Sequence, residues 1–279
     1  MANAFTVMPM RQTIELTPGQ TYTGYITVAN PQAATENFYY LATAVPYSVT
    51  GEDYRADFVT KSNRTLMADW ITVENPRGEI EPNGTERVYY TIKVPDSVPA
   101  GGQYAAIAVS SDKSSATQKG LNMQSVFEIA STIYAVVDGE TEHAGEVLEN
   151  KVPGFSTSND VKTTLMLKNT GNVHELAKVT MTVKEMLTGN VVVGDDGEYE
   201  EVMMPDSTRY ISRRIDHLAN LGIYEVKQSV EYLGTENSVS GVLVVCPVWF
   251  MALVVMTIIA LIWTIKRLTS RKAHAKMEV

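Results

Sequence analysis

Polar and apolar positions in this chain follow two rules. Through residues 13–241 they alternate in short runs. From residue 242 to 265 charge disappears altogether, in VLVVCPVWFMALVVMTIIALIWTI. Alternation places successive side chains on opposite faces of an extended strand, so the first rule predicts β-structure. The runs at 13–16, 22–28, 38–45, 70–73, 87–94, 103–109 and 125–137 are the predicted strands of a first group. Turn signals punctuate them: Thr17-Pro18-Gly19-Gln20, Asn30-Pro31, Glu74-Asn75-Pro76, Pro95 and Pro99-Ala100-Gly101-Gly102. The small polar stretch 110–120, SSDKSSATQKG, reads as a long hairpin loop rather than an interdomain linker, because a further strand follows it. A second group is predicted at 146–152, 162–168, 177–183, 209–215, 222–232 and 239–245, with Asn169-Thr170-Gly171-Asn172, Thr188-Gly189-Asn190 and Asp195-Asp196-Gly197 as turns. Short strands at this spacing are the signature of β-sandwiches.

The uncharged run obeys the second rule. It ends at Lys266 and Arg267, and Arg271, Lys272 and Lys276 follow, so it reads as one membrane-spanning helix with a basic stop signal. If 239–245 is the last strand, the helix starts near Pro247. Its 19 residues to Ile265 then rise about 28 Å at about 1.5 Å each, just enough to span. Proline suits a first helical turn, where its missing N–H costs nothing. Trp249 and Trp263 fall at the two interfaces, with Lys266 and Arg267 beyond, as membrane anchors. The predicted organisation is therefore all-β: two tandem immunoglobulin-like sandwiches, 1–139 distal from the membrane and 140–245 proximal. A transmembrane helix at 246–265 and a basic cytoplasmic tail at 266–279 complete it.

Charge fixes the orientation this predicts. The whole chain is −9, but the tail holds five basic residues against Glu278, leaving 18 basic and 31 acidic residues before the helix, a net of −13. Basic residues beside a membrane helix favour the cytoplasm, so the tail is expected inside and the sandwiches outside. The acidic folded part excludes nucleic acid as a partner held by bulk charge. Ala2-Asn3-Ala4 has the small-x-small form that ends a secretory signal, so a signal segment upstream of Met1 is expected. The rival reading, a tail-anchored protein with a cytosolic N-terminus, requires five positive charges to cross the membrane. Cys246 is the single cysteine, so no intrachain disulfide forms, and that tilts the chain towards a bacterial or archaeal surface protein. It reads as a small apolar residue of the helix.

Catalytic and metal-binding patterns are missing. His143, His174, His217 and His274 have no ligand spacing, and His174-Glu175 fails as a zinc-protease start because Lys178 stands where the second histidine belongs. No phosphate loop, nucleophile elbow or CxxC pair is present, and no cofactor is expected. The acidic run Asp195, Asp196, Glu198, Glu200, Glu201 lacks calcium-loop spacing and reads as a solvated hairpin. Asn63-Arg64-Thr65 and Asn83-Gly84-Thr85 mark surface loops. The tyrosines, 14 in all, are the candidate binding residues, with Tyr39, Tyr40 and Tyr104 foremost. Their competing role is to fill half-buried strands, and in an adjacent pair one ring points in and one out.

Three segments together resemble a known family. The first is Leu16-Thr17-Pro18-Gly19-Gln20 with the strand ending Val28-Ala29-Asn30. The second runs from Trp70-Ile71 through Ile80-Glu81-Pro82-Asn83-Gly84 to Pro99-Ala100-Gly101-Gly102-Gln103-Tyr104, and the third from Met204-Pro205-Asp206-Ser207-Thr208-Arg209 to Leu221-Gly222-Ile223-Tyr224. The order is similar to the bacterial WxL-protein-interacting family, and more loosely to pilus-chaperone-like and archaeal Ig-like modules. The resemblance implies tandem sandwiches and a role in interaction, with Trp70 in the core. Its partners would be other surface proteins, cell wall or host matrix. The expected function is a single-pass, extracellular interaction or adhesion protein without catalysis, held in the lipid bilayer of the cell membrane. The alternative is a structural or accessory subunit of a membrane assembly, such as a secretion or pilus machine.

Overall fold

A computed structural model describes residues 5–31, 34–112, 128–194 and 198–275, with side chains through 267 in the last stretch. The expectations for Ala2-Asn3-Ala4, the loop beyond Asp112, the first three residues of the 125–137 strand, Asp195-Asp196-Gly197 and the final tail residues lie outside these. Contacts divide the chain into two compact units. Unit 1 is Met1–Glu146 with Leu167–Leu176 and Val202–Tyr210; unit 2 is Val147–Met166, Ala177–Glu201 and Ile211–Val279.

In unit 1 the strands are β1 (Thr6–Met8), β2 (Arg11–Leu16), β3 (Thr21–Ala29), β4 (Phe38–Pro46), β5 (Ser48–Thr50) and β6 (Arg55–Asp57). A one-turn helix α1 (Met67–Trp70) comes next, then β7 (Ile71–Val73), β8 (Arg77–Ile80), β9 (Thr85–Lys93), β10 (Gly101–Ser111) and β11 (Glu128–Val137). One sheet has the order β1-β3-β9-β7 and the other β2-β11-β10-β4-β8, while β5 and β6 form a small hairpin. Ile26, Val28, Val88, Tyr90 and Ile92 of the first sheet meet Leu16, Tyr40, Ala42, Ile107, Ile133 and Val137 of the second in one core. That makes unit 1 a sandwich closed by the inward half of each alternating strand.

The first strand pair splits between the two sheets, with Pro9 and Met10 at the crossing. Proline brings no N–H to a ladder, which suits a place where pairing stops. Beyond it β2 runs parallel to β11, Arg11 opposite Thr132 and Leu16 opposite Val137. Trp70, expected at the head of a strand, closes α1 instead. The run Leu66-Met67-Ala68 favours helix, and Met67 and Ala68 are buried by it. Trp70 itself is half-buried against the core.

The remaining strands are β12 (Gly145–Lys151), β13 (Phe155–Ser156), β14 (Val161–Asn169), β15 (Glu175–Glu185), β16 (Val191–Val193), β17 (Tyr199–Met203), β18 (Ser207–Ile215), β19 (Gly222–Tyr232) and β20 (Thr235–Val245). Their sheets are β12-β14-β18 and β13-β20-β19-β15-β16, with β17 also on β15. In unit 2, Val161 and Ile215 of the smaller sheet pack on Met181, Val183, Tyr224, Val226, Leu243 and Val245 of the larger.

Helix α2 (Val248–Ala275) follows β20 after only Cys246 and Pro247. The backbone carbonyl of Pro247 accepts N–H bonds from Phe250 at 3.0 Å and Met251 at 3.2 Å, so Pro247 opens the first turn. Residues 248–267 are apolar enough to cross a membrane, and none of that window is buried by protein. The helix does not stop at the basic cluster but continues to Ala275. No proline or glycine interrupts the tail, and Leu, Lys, Arg and Ala all propagate a helix.

Candidate interaction surfaces

The three tyrosines singled out in the sequence have different fates. Tyr40 and Tyr104 are each 1% exposed, so neither ring offers a surface to a partner. The alternation of β4 explains the first: Phe38, Tyr40 and Ala42 face the core, and Tyr39 faces out. Burial pushes the Tyr40 hydroxyl well above its ordinary range. Tyr39 is half-buried and donates its hydroxyl to Glu79 Oε1 at 2.8 Å, across the β4–β8 register. Asn37 Nδ2 donates to the same oxygen, and these two donors hold the Glu79 carboxyl below its usual value.

Tyr104 is buried because β10 is covered on both faces. Ala105, Ile107 and Val109 enter the sandwich core, while Tyr104 and Ala106 face the other way, beside Tyr134 of β11 and Tyr47 after β4, and pack with Met204. The packing is aromatic. Tyr104 meets Tyr134 edge-on at 5.5 Å and His174 at 5.7 Å, and its hydroxyl lies 3.3 Å from His174 Nδ1. Tyr134 in turn donates to the Tyr47 hydroxyl at 3.1 Å. Beside them the Tyr54 hydroxyl accepts the Met204 N–H at 2.9 Å and pairs closely with Ser207 Oγ, with the Arg209 guanidinium 4.5 Å from its ring centre. Every one of these residues belongs to unit 1. The cluster is an internal packing layer with satisfied hydroxyls.

The exposed aromatic face of unit 1 lies on the opposite sheet. Tyr25 on β3 and Tyr89 on β9 are register partners, 43% and 47% exposed, with ring centres 5.8 Å apart. Arg87 lies 4.8 Å over the Tyr25 ring. Around them the outward positions of both strands are Thr21, Thr23, Thr27, Thr85, Thr91 and Lys93. Cross-strand aromatic pairs and exposed cation–π contacts each contribute about 0.2–1 kcal/mol, enough to pre-set the rings without burying them. The alternation of β9 carries the signal: Val88, Tyr90 and Ile92 fill one side, so Tyr89 and Arg87 must take the other. The resulting face offers two flat rings, two cations and a row of hydroxyls. Such a surface suits a polar polymer or a protein surface held through stacking and hydrogen bonds.

On α2, Trp249 and Trp263 are both exposed and lie about 21 Å apart along the axis at about 1.5 Å per residue. Arg267 sits 5.0 Å over the Trp263 ring, next to Lys266. That clusters ring and cations at the C-terminal boundary of the apolar stretch, and Trp249 marks the N-terminal one.

Polar clusters elsewhere are paired. Lys178 Nζ and Glu198 Oε1 are 3.0 Å apart in a groove of about 410 Å³ lined also by Glu231 and Glu236, and Glu198 raises the lysine's proton affinity. His143 Nδ1 lies 2.6 Å from Glu175 Oε1. Among the described residues no three His, Cys, Asp or Glu side chains converge as metal ligands do.

No family model matches the chain, and no curated protein sequence matches it. Solved structures do. The class 5 fimbrial chaperone CfaA is 13% identical, with a TM-score of 0.41 over 86% of this chain and 99% of that one. The CsuC-CsuE chaperone and tip-subunit pre-assembly complex of Acinetobacter baumannii Csu pili gives 13%, 0.39, 85% and 98%. A PapD-like domain of human CEP192 gives 14%, 0.33, 50% and 87%. These structural neighbours include pilus chaperones with the PapD-like, immunoglobulin-like fold; overlaps this loose transfer no role to any residue.

Proposed function

We propose that this chain is a single-pass membrane protein whose β-sandwich part works outside the membrane as an interaction or adhesion module, without catalysis. Its partners are other surface proteins or polymers of cell wall or matrix, as the WxL-protein-interacting resemblance implies. In this reading residues 1–139 and 140–245 are the two sandwich domains, 246–265 cross the bilayer and 266–279 stay in the cytoplasm. The observation that carries the reading is the apolar helix from Val248 to Arg267, unburied by protein and joined to the last strand through two residues. An apolar surface of that size facing no protein needs lipid around it. The basic residues after it favour a cytoplasmic C-terminus. The binding face that best suits the role is the Tyr25–Tyr89–Arg87 surface.

The test is protease treatment of intact cells expressing the full chain. The reading expects everything before the helix to be digested from outside and a helix-sized fragment to stay in the membrane. Survival of the sandwich part until the cells are lysed would overturn it. Exchanging Tyr25 and Tyr89 for serine is then expected to lower capture of the chain by isolated cell walls or by surface-protein extracts, while lowering its melting temperature by only a few degrees.

A further inference from the structure

The two ends of unit 2 differ in a way that solvation does not explain. Strand β20 runs towards α2 and stops at Val245. Its neighbour β19 begins at that end, Gly222 opposite Val245 and Ile223 opposite Val244. β15 finishes there, with Glu185 opposite Tyr224 and the Met186 N–H donating to the Ile223 carbonyl at 2.9 Å. β13 lies there too, with Phe155 opposite Val244. Three segments therefore arrive beside the end of β20 and the Cys246-Pro247 junction, and each brings an exposed apolar side chain or one adjoining it: Phe155, Met186, Leu187, Leu221 and Ile223.

Leu187 is the extreme case at 78% exposure, on a hairpin tip where polar residues are the rule. The tip is ordered by its own bonds. The Glu185 N–H donates to the Asn190 carbonyl at 2.8 Å, the Gly189 N–H to the Glu185 carbonyl at 2.9 Å, and Thr188 Oγ1 to Glu185 Oε2 at 2.6 Å. Met186 and Leu187 are thus presented by a closed turn. At the other end of the same strands the surface is polar and acidic, with Glu231, Glu236 and Glu198 around Lys178.

We propose that this apolar rim is a bilayer-docking surface, with Phe155, Met186, Leu187 and Leu221 seated at the boundary between lipid headgroups and acyl chains. The proposal rests on the reading of α2 as a membrane anchor. Continuity with that helix identifies the occupant. Val245 and Val248 are three peptide steps apart, at most about 11 Å, so once Val248 enters the membrane the rim lies within reach of the headgroup layer, and its apolar side chains decide whether it docks there or tips away. The acidic charge before the helix excludes electrostatic attraction to anionic lipid as the cause, and leaves apolar insertion. Unit 2 is thereby fixed upright on the membrane by three loops and strand ends as well as by the helix.

The test uses the full chain in phosphatidylcholine nanodiscs with Cys246 replaced by serine. Single cysteines at positions 187, 221, 236 and 258 carry an environment-sensitive fluorophore. The proposal expects the probes at 187 and 221 to be quenched by lipids spin-labelled near the headgroup, the probe at 258 by lipids labelled deep in the acyl chain, and the probe at 236 by neither. Quenching at 258 without quenching at 187 and 221 would overturn the docking surface and leave the anchor standing. No quenching at 258 would remove the anchor, and the rim with it. A blue shift at 187 that lipid does not quench would assign the rim to a protein partner and overturn the proposal. Finally, Met186→Asp with Leu187→Asp should abolish quenching at 221 while the chain stays folded. Undiminished quenching there would mean that the tether alone holds the rim near lipid, and would also overturn it.

Discussion

His174 stands between the Tyr104 and Tyr134 rings, at 5.7 and 5.3 Å from their centres. Burial, and secondarily the Arg11 charge, hold its pKa below the ordinary 6.5. Burial raises the Tyr104 and Tyr134 hydroxyls, so both stay neutral around it. A histidine whose folded pKa is lowered binds its proton more weakly in the folded state than in the unfolded one. Its contribution is complete above pH 6.5 and is lost as the pH falls from there towards the folded value. Melting temperatures of the full chain from neutral to mildly acid pH are expected to fall across this window. The fall should be shallower in His174→Gln, and a slope unchanged by that substitution would contradict the burial of a neutral ring. Both the ring's neighbours and its burial were illegible in the sequence. His174 shows no spacing to any partner, because Tyr104 and Tyr134 lie 70 and 40 positions away.

At the scale of elements, one local device recurs in both units. The Tyr22 hydroxyl accepts the Thr17 N–H at 3.0 Å as β3 begins, and the Tyr224 hydroxyl accepts the Ala219 N–H at 2.9 Å as β19 begins. Each ties the turn five residues upstream to its strand. Tyr224 lies back over Gly222, where a Cβ would come within 2.6 Å of the hydroxyl, so only glycine leaves room for it. Tyr224 is buried and Tyr22 half-buried. Losing an acceptor costs about 1–3 kcal/mol where the donor is then left buried, and less where water reaches it. Both donor residues, Ala219 and Thr17, are exposed, but the Tyr224 bond is part-buried and the Tyr22 bond open to water, so Tyr224→Phe is expected to lower the unfolding free energy by about 0.5–1.5 kcal/mol in denaturant titration, and Tyr22→Phe by less. Equal losses would show that burial does not set the difference. Strand positions were largely legible, since β19 spans the run that alternation marks. The helical turn Met67–Trp70 and the edge strand β8 were not, because four-residue elements carry too little periodicity to be distinguished from loops.

For the whole molecule, the helix is the dominant feature. Its middle is Ile258, exposed and flanked by apolar residues. If the helix spans as proposed, Ile258→Arg places a charge near the bilayer centre at a cost of about 2.5–3.5 kcal/mol, or a roughly hundred-fold shift in partition. Alkaline carbonate extraction of membranes is expected to release a much larger share of this variant than of the parent chain, and equal retention would argue against a spanning helix. Much of this level was written along the chain. The β-rich character follows from alternation, and the apolar helix with its start at Pro247 follows from composition, because both patterns are local. What the sequence left open was decided by pairing between distant segments. The Gly101–Ser111 strand shows a continuous small and apolar run, a sign that both its faces are covered, but not what covers them. Val202, Met204 and the turns around Tyr47 and Tyr54 do so, and they convert Tyr104 from a surface candidate into core. Tyr25 and Tyr89 stay exposed because nothing among the described residues of unit 1 folds over their rings. Alternation determines which side a residue faces, and only the tertiary structure determines whether that side meets water, lipid or another strand.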